Sequence, residues 1–150
     1  MIQLSEHFTL EELIFSETAV RKGIDNNPTQ EVVNNLKRLT EVLEQVRKLV
    51  DKPLHISSGY RGPILNSKIG GAKTSAHLEG RAADFTCSAF GTPLQIARII
   101  CNNKVLNVVD QLIMEGNWVH IAIPKNDELP RKQVLTATFT NGKVKYSNGL

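Results

Sequence analysis

The segment Ser75–Phe85, with the sequence SAHLEGRAADF, places a histidine before a glycine-containing turn and an aspartate inside an apolar strand. The letters RAADF predict that strand, in which Asp84 lies between an alanine and a phenylalanine. A carboxylate among such neighbours is costly to bury unless a cation or hydrogen-bond donors satisfy it. Gly80 allows a sharp turn that would bring His77 back toward Asp84. These two residues are therefore candidates for a shared metal site.

Two residues do not define a metal site, and other interpretations of Asp84 stay open at this stage. The aspartate could cap a turn, or it could pair with Arg61 or Arg81. A catalytic zinc needs three protein ligands with nitrogen or oxygen donors and one open position for water. The chain has four histidines, so a third ligand has to come from another segment.

The segment DQLIMEGNWVHIAIP predicts two strands joined by a tight turn at Gly116 and Asn117. With a two-residue turn, Glu115, Trp118 and His120 project from the same face of the sheet. His120 is then the candidate third ligand, and Glu115 is a candidate proton acceptor for the water on the metal. A histidine bonded to the backbone is the alternative for His120. A slip of one residue would turn Glu115 to the other face.

The first third of the chain predicts helices. Thr9 and Glu12 form a capping box for a first helical segment that starts near Leu10 and stops at Gly23. A long amphipathic helix is predicted from about Thr29 to Val50. Its apolar stripe consists of Val32, Leu36, Leu39, Leu43, Val46 and Val50.

The strand patterns come later in the chain. LHISS and RAADF are short strands, Thr92 and Gln95 cap a further helix, and Asn141-Gly142 marks a second hairpin in VLTATFTNGKVKYS. Helices first and strands later predict an α+β fold in which N-terminal helices pack on a mainly antiparallel sheet. The length of 150 residues fits a single domain over 1–150.

Composition narrows the function classes. The net charge is +3, and the basic residues are scattered without a run of five or more, so nucleic acid is not expected as a partner. No segment has the length and apolar content of a membrane span or the pattern of a secretory signal. We therefore expect a monomer that is made in the cytoplasm. HExxH and G-x-S-x-G motifs are absent, which removes support for a metallopeptidase of the HExxH type and for a serine nucleophile.

With these residues assembled, the chain resembles the M15-type zinc peptidases, the D-Ala-D-Ala carboxypeptidase-like family. The family pattern S-x-H-x-x-G-x-A-x-D is matched by the segment from Ser75 to Asp84, and a later W-x-H is matched by Trp118 and His120. SSGYR, FTLEEL, NNLKRLTEVLEQVR, DQLI and VLTATFTNGK resemble the small single-domain branch found in phage and prophage genomes.

The resemblance implies a D-Ala-D-Ala carboxypeptidase-like/hedgehog-like fold and one Zn²⁺ per chain, held by His77, Asp84 and His120. It implies hydrolysis of a peptide bond in bacterial peptidoglycan, in the stem peptide or the cross-bridge, by a carboxypeptidase or an endolysin-type endopeptidase. The protein would then act on the cell wall after release from the cytoplasm by a phage-type route. The implied substrate-binding residues, of which Arg61 is also catalytic, are Arg61, Ser75 and Trp118.

One position departs from the family pattern. Many members carry the catalytic Glu or Asp three residues before the last histidine, and this chain has Asn117 there. An asparagine does not serve as a proton acceptor, so Glu115 is assigned that role. The alternative is a non-catalytic peptidoglycan-binding or phage-tail module that retains the metal site.

Overall fold

The computed structural model describes all residues from Met1 to Leu150. Five α-helices and six β-strands follow one another along the chain. The helices are α1 (Leu10–Ile14), α2 (Glu17–Lys22), α3 (Gln30–Val50), α4 (Pro63–Lys68) and α5 (Pro93–Cys101). The strands are β1 (His55–Ser58), β2 (Ala82–Thr86), β3 (Gln111–Met114), β4 (Val119–Ala122), β5 (Gln133–Thr140) and β6 (Lys143–Asn148).

Helix α3 is the scaffold of the domain, as its periodicity predicts. The side chain of Thr29 caps it by accepting a hydrogen bond from the Val32 amide at 3.3 Å. All six residues of the predicted apolar stripe are buried, while the opposite face carries charged and amide side chains. None of the helices combines the length and the apolar content that a bilayer crossing requires.

The N-terminal helical segment differs from the prediction of one helix between Leu10 and Gly23. The structure has two short helices, because Phe15 adopts an extended conformation (ψ 137°) that ends α1. Ser16 then caps α2 by accepting from the Ala19 amide at 3.2 Å. The predicted start and stop are both confirmed, since Thr9 caps α1 and Gly23 ends α2 in the left-handed conformation.

The six strands form one sheet with the order β1-β2-β4-β3-β5-β6. Every neighbouring pair is antiparallel except β3 and β5, which are parallel. The α+β class with a mainly antiparallel sheet is therefore confirmed. Both predicted hairpins are present: β3 and β4 join through Gly116-Asn117, and β5 and β6 join through Asn141-Gly142.

One face of the sheet packs in the core, and the other face carries the candidate ligands. Alternate residues such as Phe85, Leu112 and Ile121 join α3 and α5 in a core cluster of 24 buried residues. The residues between them face the other way, and the register aligns Asp84 of β2 with His120 of β4. The helices thus cover one face of the sheet, and the candidate ligands lie on the other.

Gly80 connects the fold to the site. It ends the 3₁₀ helix Ala76–Glu79 with a φ of 73°, in the left-handed region. A Cβ atom at this position would lie 2.9 Å from the backbone oxygen and from a methyl group of Val32 in α3. Gly80 therefore lets the loop that carries His77 turn sharply while it packs directly against the scaffold helix.

We expect Gly80→Ala to lower the free energy of unfolding in urea by more than Gly23→Ala. Both glycines have a left-handed φ, which costs a non-glycine residue roughly 1–2 kcal/mol, but a Cβ at Gly23 would meet no atom within 4 Å. The difference between the two variants isolates the clash with Val32. Equal losses in the two variants would show that the close contact with α3 is unimportant.

Candidate metal centre

Three side chains from two distant segments meet on the open face of the sheet. The candidate ligand atoms of His77, Asp84 and His120 all lie within 4.8 Å of one another. The Nδ1 atom of His120 lies 2.8 Å from Asp84 Oδ1, and the Nε2 atom of His77 lies 3.3 Å from the same oxygen. The two imidazole ring centroids are 5.2 Å apart. The three residues predicted to share a metal are therefore grouped closely enough to do so.

His77 is held in place by its surroundings. Ser75 caps the 3₁₀ helix by accepting from the His77 amide at 3.2 Å. The Nδ1–H of His77 donates to the carbonyl oxygen of Gly59 at 2.7 Å, so the free lone pair is on Nε2 and faces Asp84. Burial lowers the pKa of His77, although the Asp84 carboxylate opposes this effect. The side chain is 3% exposed, and neutral imidazole is the form that binds metals.

Asp84 satisfies its buried carboxylate through a histidine rather than an arginine. Burial by itself raises the pKa of Asp84, but the hydrogen bond with His120 is the main opposing cause, and the pKa stays well below its usual range. Arg81, one of the alternative partners, instead donates to Glu79 and to the carbonyl of Ile123. The other alternative, Arg61, acts on the carboxylate through its charge without an ion-pair contact.

The donor set fits a metal ion. With Nδ1 of His77 committed to Gly59, a neutral His77 presents a lone pair to a carboxylate oxygen 3.3 Å away. Two facing acceptors repel each other unless a cation lies between them. Two ligands of a tetrahedral zinc, each about 2.0–2.1 Å from the ion, lie roughly 3.4 Å apart. The separation between His77 and Asp84 matches that spacing, and two imidazoles with one carboxylate are suitable zinc ligands.

The β3–β4 hairpin places the remaining predicted residues in the same cleft. The Glu115 amide donates to the Trp118 carbonyl at 3.0 Å, and Ile113 pairs with His120, so the predicted two-residue turn is confirmed. Gly116 has a φ of 83°, which suits the first position of this turn. Glu115 and Trp118 line the cleft with His120, whereas Asn117 is exposed at the turn and does not line it.

Arg61 and Ser75 border the cleft on the side of β1 and β2. The Nη2 atom of Arg61 donates to the Ser75 hydroxyl at 3.3 Å, and the Arg61 amide donates to the His77 carbonyl at 3.1 Å. The buried Nε of Arg61 has no hydrogen-bond partner. Burial lowers the pKa of Arg61 while the Asp84 carboxylate raises it, yet an arginine stays charged. Because Arg61 lines the cleft, its charged guanidinium is available to a carbonyl or carboxylate group.

The cleft has a volume of about 760 Å³ and contains all seven predicted site residues. It also contains residues that the sequence did not single out, notably Phe139 and Tyr146 from the last hairpin and the Gly70–Thr74 segment. The alternation of apolar residues in VLTATFT was the available signal for one face of β5. It could not show that this face adjoins the metal ligands, because the pairing of β3 with β5 is a long-range contact.

The histidine–aspartate–histidine cluster in an open cleft, beside an arginine and a half-buried glutamate, is an arrangement that could hold a metal ion and suits metal-dependent hydrolysis. The family model described as Peptidase M15 matches residues 6–122 of the chain. The chain belongs to the peptidase M15 family, which confirms the resemblance. The match includes the candidate ligands and ends before the last hairpin. No curated protein matches the chain.

We expect His77→Ala, Asp84→Ala and His120→Ala each to abolish stoichiometric zinc, because each removes one of three protein donors. Zinc content after dialysis, measured by plasma mass spectrometry, checks this.

His7→Ala and His55→Ala are the matched controls and should keep full zinc. His7 bonds to Glu44 at 2.7 Å, and His55 is exposed on β1, so neither belongs to the cluster. Full zinc content in a variant of the cluster would remove that residue from the ligand set.

Proposed function

We propose that the protein is a zinc-dependent peptidase that hydrolyses a peptide bond in bacterial peptidoglycan. The observation that carries this proposal is the convergence of His77, Asp84 and His120 in a cleft that also contains Glu115 and Arg61. Membership of the peptidase M15 family gives the reaction class. The proposed roles of these residues follow from their positions in the cleft.

His77, Asp84 and His120 would hold the zinc ion and leave an open position toward the cleft. When bound, the ion supplies Lewis acidity, which makes water an effective nucleophile at neutral pH. Asp84 offsets part of the charge of the ion, and the hydrogen bond from His77 to Gly59 fixes the ring in the orientation needed for ligation.

Glu115 would act as the general base. Burial raises the pKa of Glu115, and the negative charge of Asp84 adds to this while His120 opposes it. A carboxylate with a raised pKa accepts a proton more readily than an exposed one. Glu115 would take the proton of the attacking water and then deliver it to the leaving amine, so that the proton is conserved through the reaction.

Arg61, Ser75 and Trp118 would bind the substrate. Arg61 lines the cleft, where its guanidinium can bind the carbonyl oxygen or a terminal carboxylate. Ser75 holds the guanidinium through its hydroxyl, and Trp118 offers an apolar surface next to Glu115. A positive donor aimed at a developing oxyanion typically contributes on the order of 3–4 kcal/mol to lowering the barrier.

Peptidoglycan as the substrate is supported by the resemblance to wall-trimming carboxypeptidases and phage endolysins. The net charge of +3 is favourable for an anionic wall. The proposed bond lies in the stem peptide or the cross-bridge, and the proposed place of action is the cell wall, reached by release of phage type. Mass spectrometry of peptidoglycan digested by the zinc-loaded protein identifies the bond and separates carboxypeptidase from endopeptidase products.

We expect Glu115→Gln to lower kcat on purified stem peptides by about 10²–10⁴-fold, because it removes the proton acceptor. Its zinc content should stay at one ion per chain. The matched control is Asn117→Ala, which changes an exposed residue outside the cleft and should keep wild-type activity. Amine release and zinc content are the two measurements.

The alternative function, a wall-binding module without catalysis, gives a different result in this experiment. Wild-type protein would then bind peptidoglycan and release no amine, and Glu115→Gln would change nothing. Loss of activity in Asn117→Ala with full activity in Glu115→Gln would instead exclude Glu115 as the base.

The pH dependence of kcat/KM should show the ionisation of Glu115. The base works only when ionised, so activity is lost as the pH falls through its pKa. Burial raises this pKa from the ordinary glutamate value of 4.5 in the metal-free protein, and the charge of a bound Zn²⁺ lowers it, so the acidic limb is identified by its shift in a variant. Glu115→Asp should move the limb to lower pH, because aspartate has the lower intrinsic pKa. A limb that stays in place in this variant would assign it to another group.

A further inference from the structure

The last hairpin directs apolar side chains toward the metal centre. Ile113 of β3 pairs with His120 on one side and with Leu135 of β5 on the other. Paired residues share a face of the sheet, and every second residue along a strand does the same. Leu135, Ala137 and Phe139 therefore lie on the face that carries the metal ligands.

The same register continues into β6. Tyr146 lies opposite Ala137, and Val144 lies opposite Phe139. Phe139 is 57% exposed and Tyr146 is 49% exposed, although both are large and largely apolar. Both line the metal cleft. Exposed aromatic side chains that border a cleft are typical of ligand-binding surfaces.

Tyr146 shares a row with the proposed base. The pairing of Met114 with Thr136 extends by one residue to align Glu115 with Ala137, and Ala137 is opposite Tyr146. The small side chain of Ala137 makes Tyr146 the next bulky group beyond Glu115. Burial raises the pKa of Tyr146, and the charges of Glu115 and Asp84 add to this, so the phenol stays protonated and can donate a hydrogen bond.

The hydroxyl of Tyr146 is free to bind a ligand. Among the side chains of β5 and β6, Gln133 accepts a hydrogen bond from Gln111, and Thr136 and Ser147 donate to backbone carbonyls, whereas Tyr146 forms none. The ring of Phe139 approaches the Gly116 turn, where an added Cβ would lie 3.5 Å from it. Trp118, Phe139 and Tyr146 thus surround the end of the cleft next to Glu115, and we call these three residues the aromatic lobe.

The aromatic lobe and Arg61 are at opposite ends of the cleft. Arg61 follows β1 at one edge of the sheet, the ligand strands β2 and β4 are inside it, and β6 is the other edge. Three strand spacings separate β4 from β6, which is about 14 Å at ~4.8 Å each, or about four residues of extended peptide at ~3.3 Å each. A ligand that reaches both ends is therefore a peptide of several residues.

We propose that the aromatic lobe is a substrate subsite that binds the stem peptide on the side of the metal opposite Arg61. The rings of Trp118 and Phe139 pack against aliphatic parts of the peptide, and the Tyr146 hydroxyl donates to one of its backbone carbonyl oxygens. The proposal rests on the proposed function, since its occupant is the proposed substrate. It adds that affinity depends on substrate length.

Trp118 provides a direct test, because it is the single tryptophan of the chain and lies in the lobe. Its fluorescence is titrated with a soluble stem pentapeptide and with the C-terminal dipeptide, using zinc-loaded Glu115→Gln protein. Phe139→Ala and Tyr146→Ala should each weaken pentapeptide binding about 10-fold. Tyr146→Phe, which removes only the hydroxyl, should weaken it about 3-fold. Dipeptide affinity should not change.

Thr138→Ala is the matched control, because Thr138 is an exposed residue of the same hairpin on the opposite face. It should leave both affinities unchanged. Zinc content and the thermal midpoint establish that each variant is folded, and the conservative Tyr146→Phe keeps the test informative if an alanine variant unfolds. Three results would overturn the subsite. The lobe variants could keep wild-type affinity for the pentapeptide, they could lose as much affinity for the dipeptide as for the pentapeptide, or the protein could fail to bind the pentapeptide.

Hydrolysis of the pentapeptide by active protein separates this proposal from the catalytic one. Binding that depends on the lobe without any cleavage by wild-type protein would contradict the peptidase function and support the subsite. Cleavage with a wild-type KM in Phe139→Ala and Tyr146→Ala would contradict the subsite and support the peptidase function.

Discussion

The burial of one carboxylate on the open face of the sheet is the constraint that organises this molecule. Asp84 sits in a central strand between residues of the core, and a carboxylate there is stable only with strong partners. His120 reaches it from the adjacent strand, and His77 reaches it from a turn that precedes its own strand. Because the neutral His77 directs a lone pair at Asp84, the cluster is complete when a cation lies between them. The contacts that orient the candidate ligands are therefore also the contacts that stabilise the buried carboxylate of Asp84.

The scaffold keeps this cluster fixed by backbone contacts rather than by flexible side chains. The loop with His77 turns at Gly80, directly against Val32 of α3, and the carbonyl of Gly59 sets the imidazole tautomer. Helix α3 buries its full apolar stripe in the core beneath the sheet. A ligand set that is already oriented before metal binding loses less conformational freedom when the ion enters. Packing far from the cleft would therefore contribute to the affinity of these three residues for a metal ion.

Much of this could be predicted from the sequence, for reasons that are local. Capping residues fixed the start of α3, the six-residue stripe showed its buried face, and a two-residue turn placed Glu115 beside His120. The break at Phe15 was missed because the apolar pattern continues across it. The parallel pairing of β3 with β5 was also missed, because the residues of a strand do not indicate which strand about twenty residues away will pair with it. Tyr146 enters the cleft only through that pairing.

The register of the β3–β4 hairpin also places a carboxylate in the cleft although position 117 carries no acid. A residue three positions before His120 is in the turn, where Asn117 is exposed and does not line the cleft. Two residues earlier the chain is still in line with β3, and Glu115 shares its face with Trp118 and His120. A proton acceptor can thus come from the strand opposite the last ligand. Because side chains alternate with a period of two, a shift of one residue would remove Glu115 from the face that carries the metal ligands. The length of the turn therefore determines whether Glu115 lines the cleft.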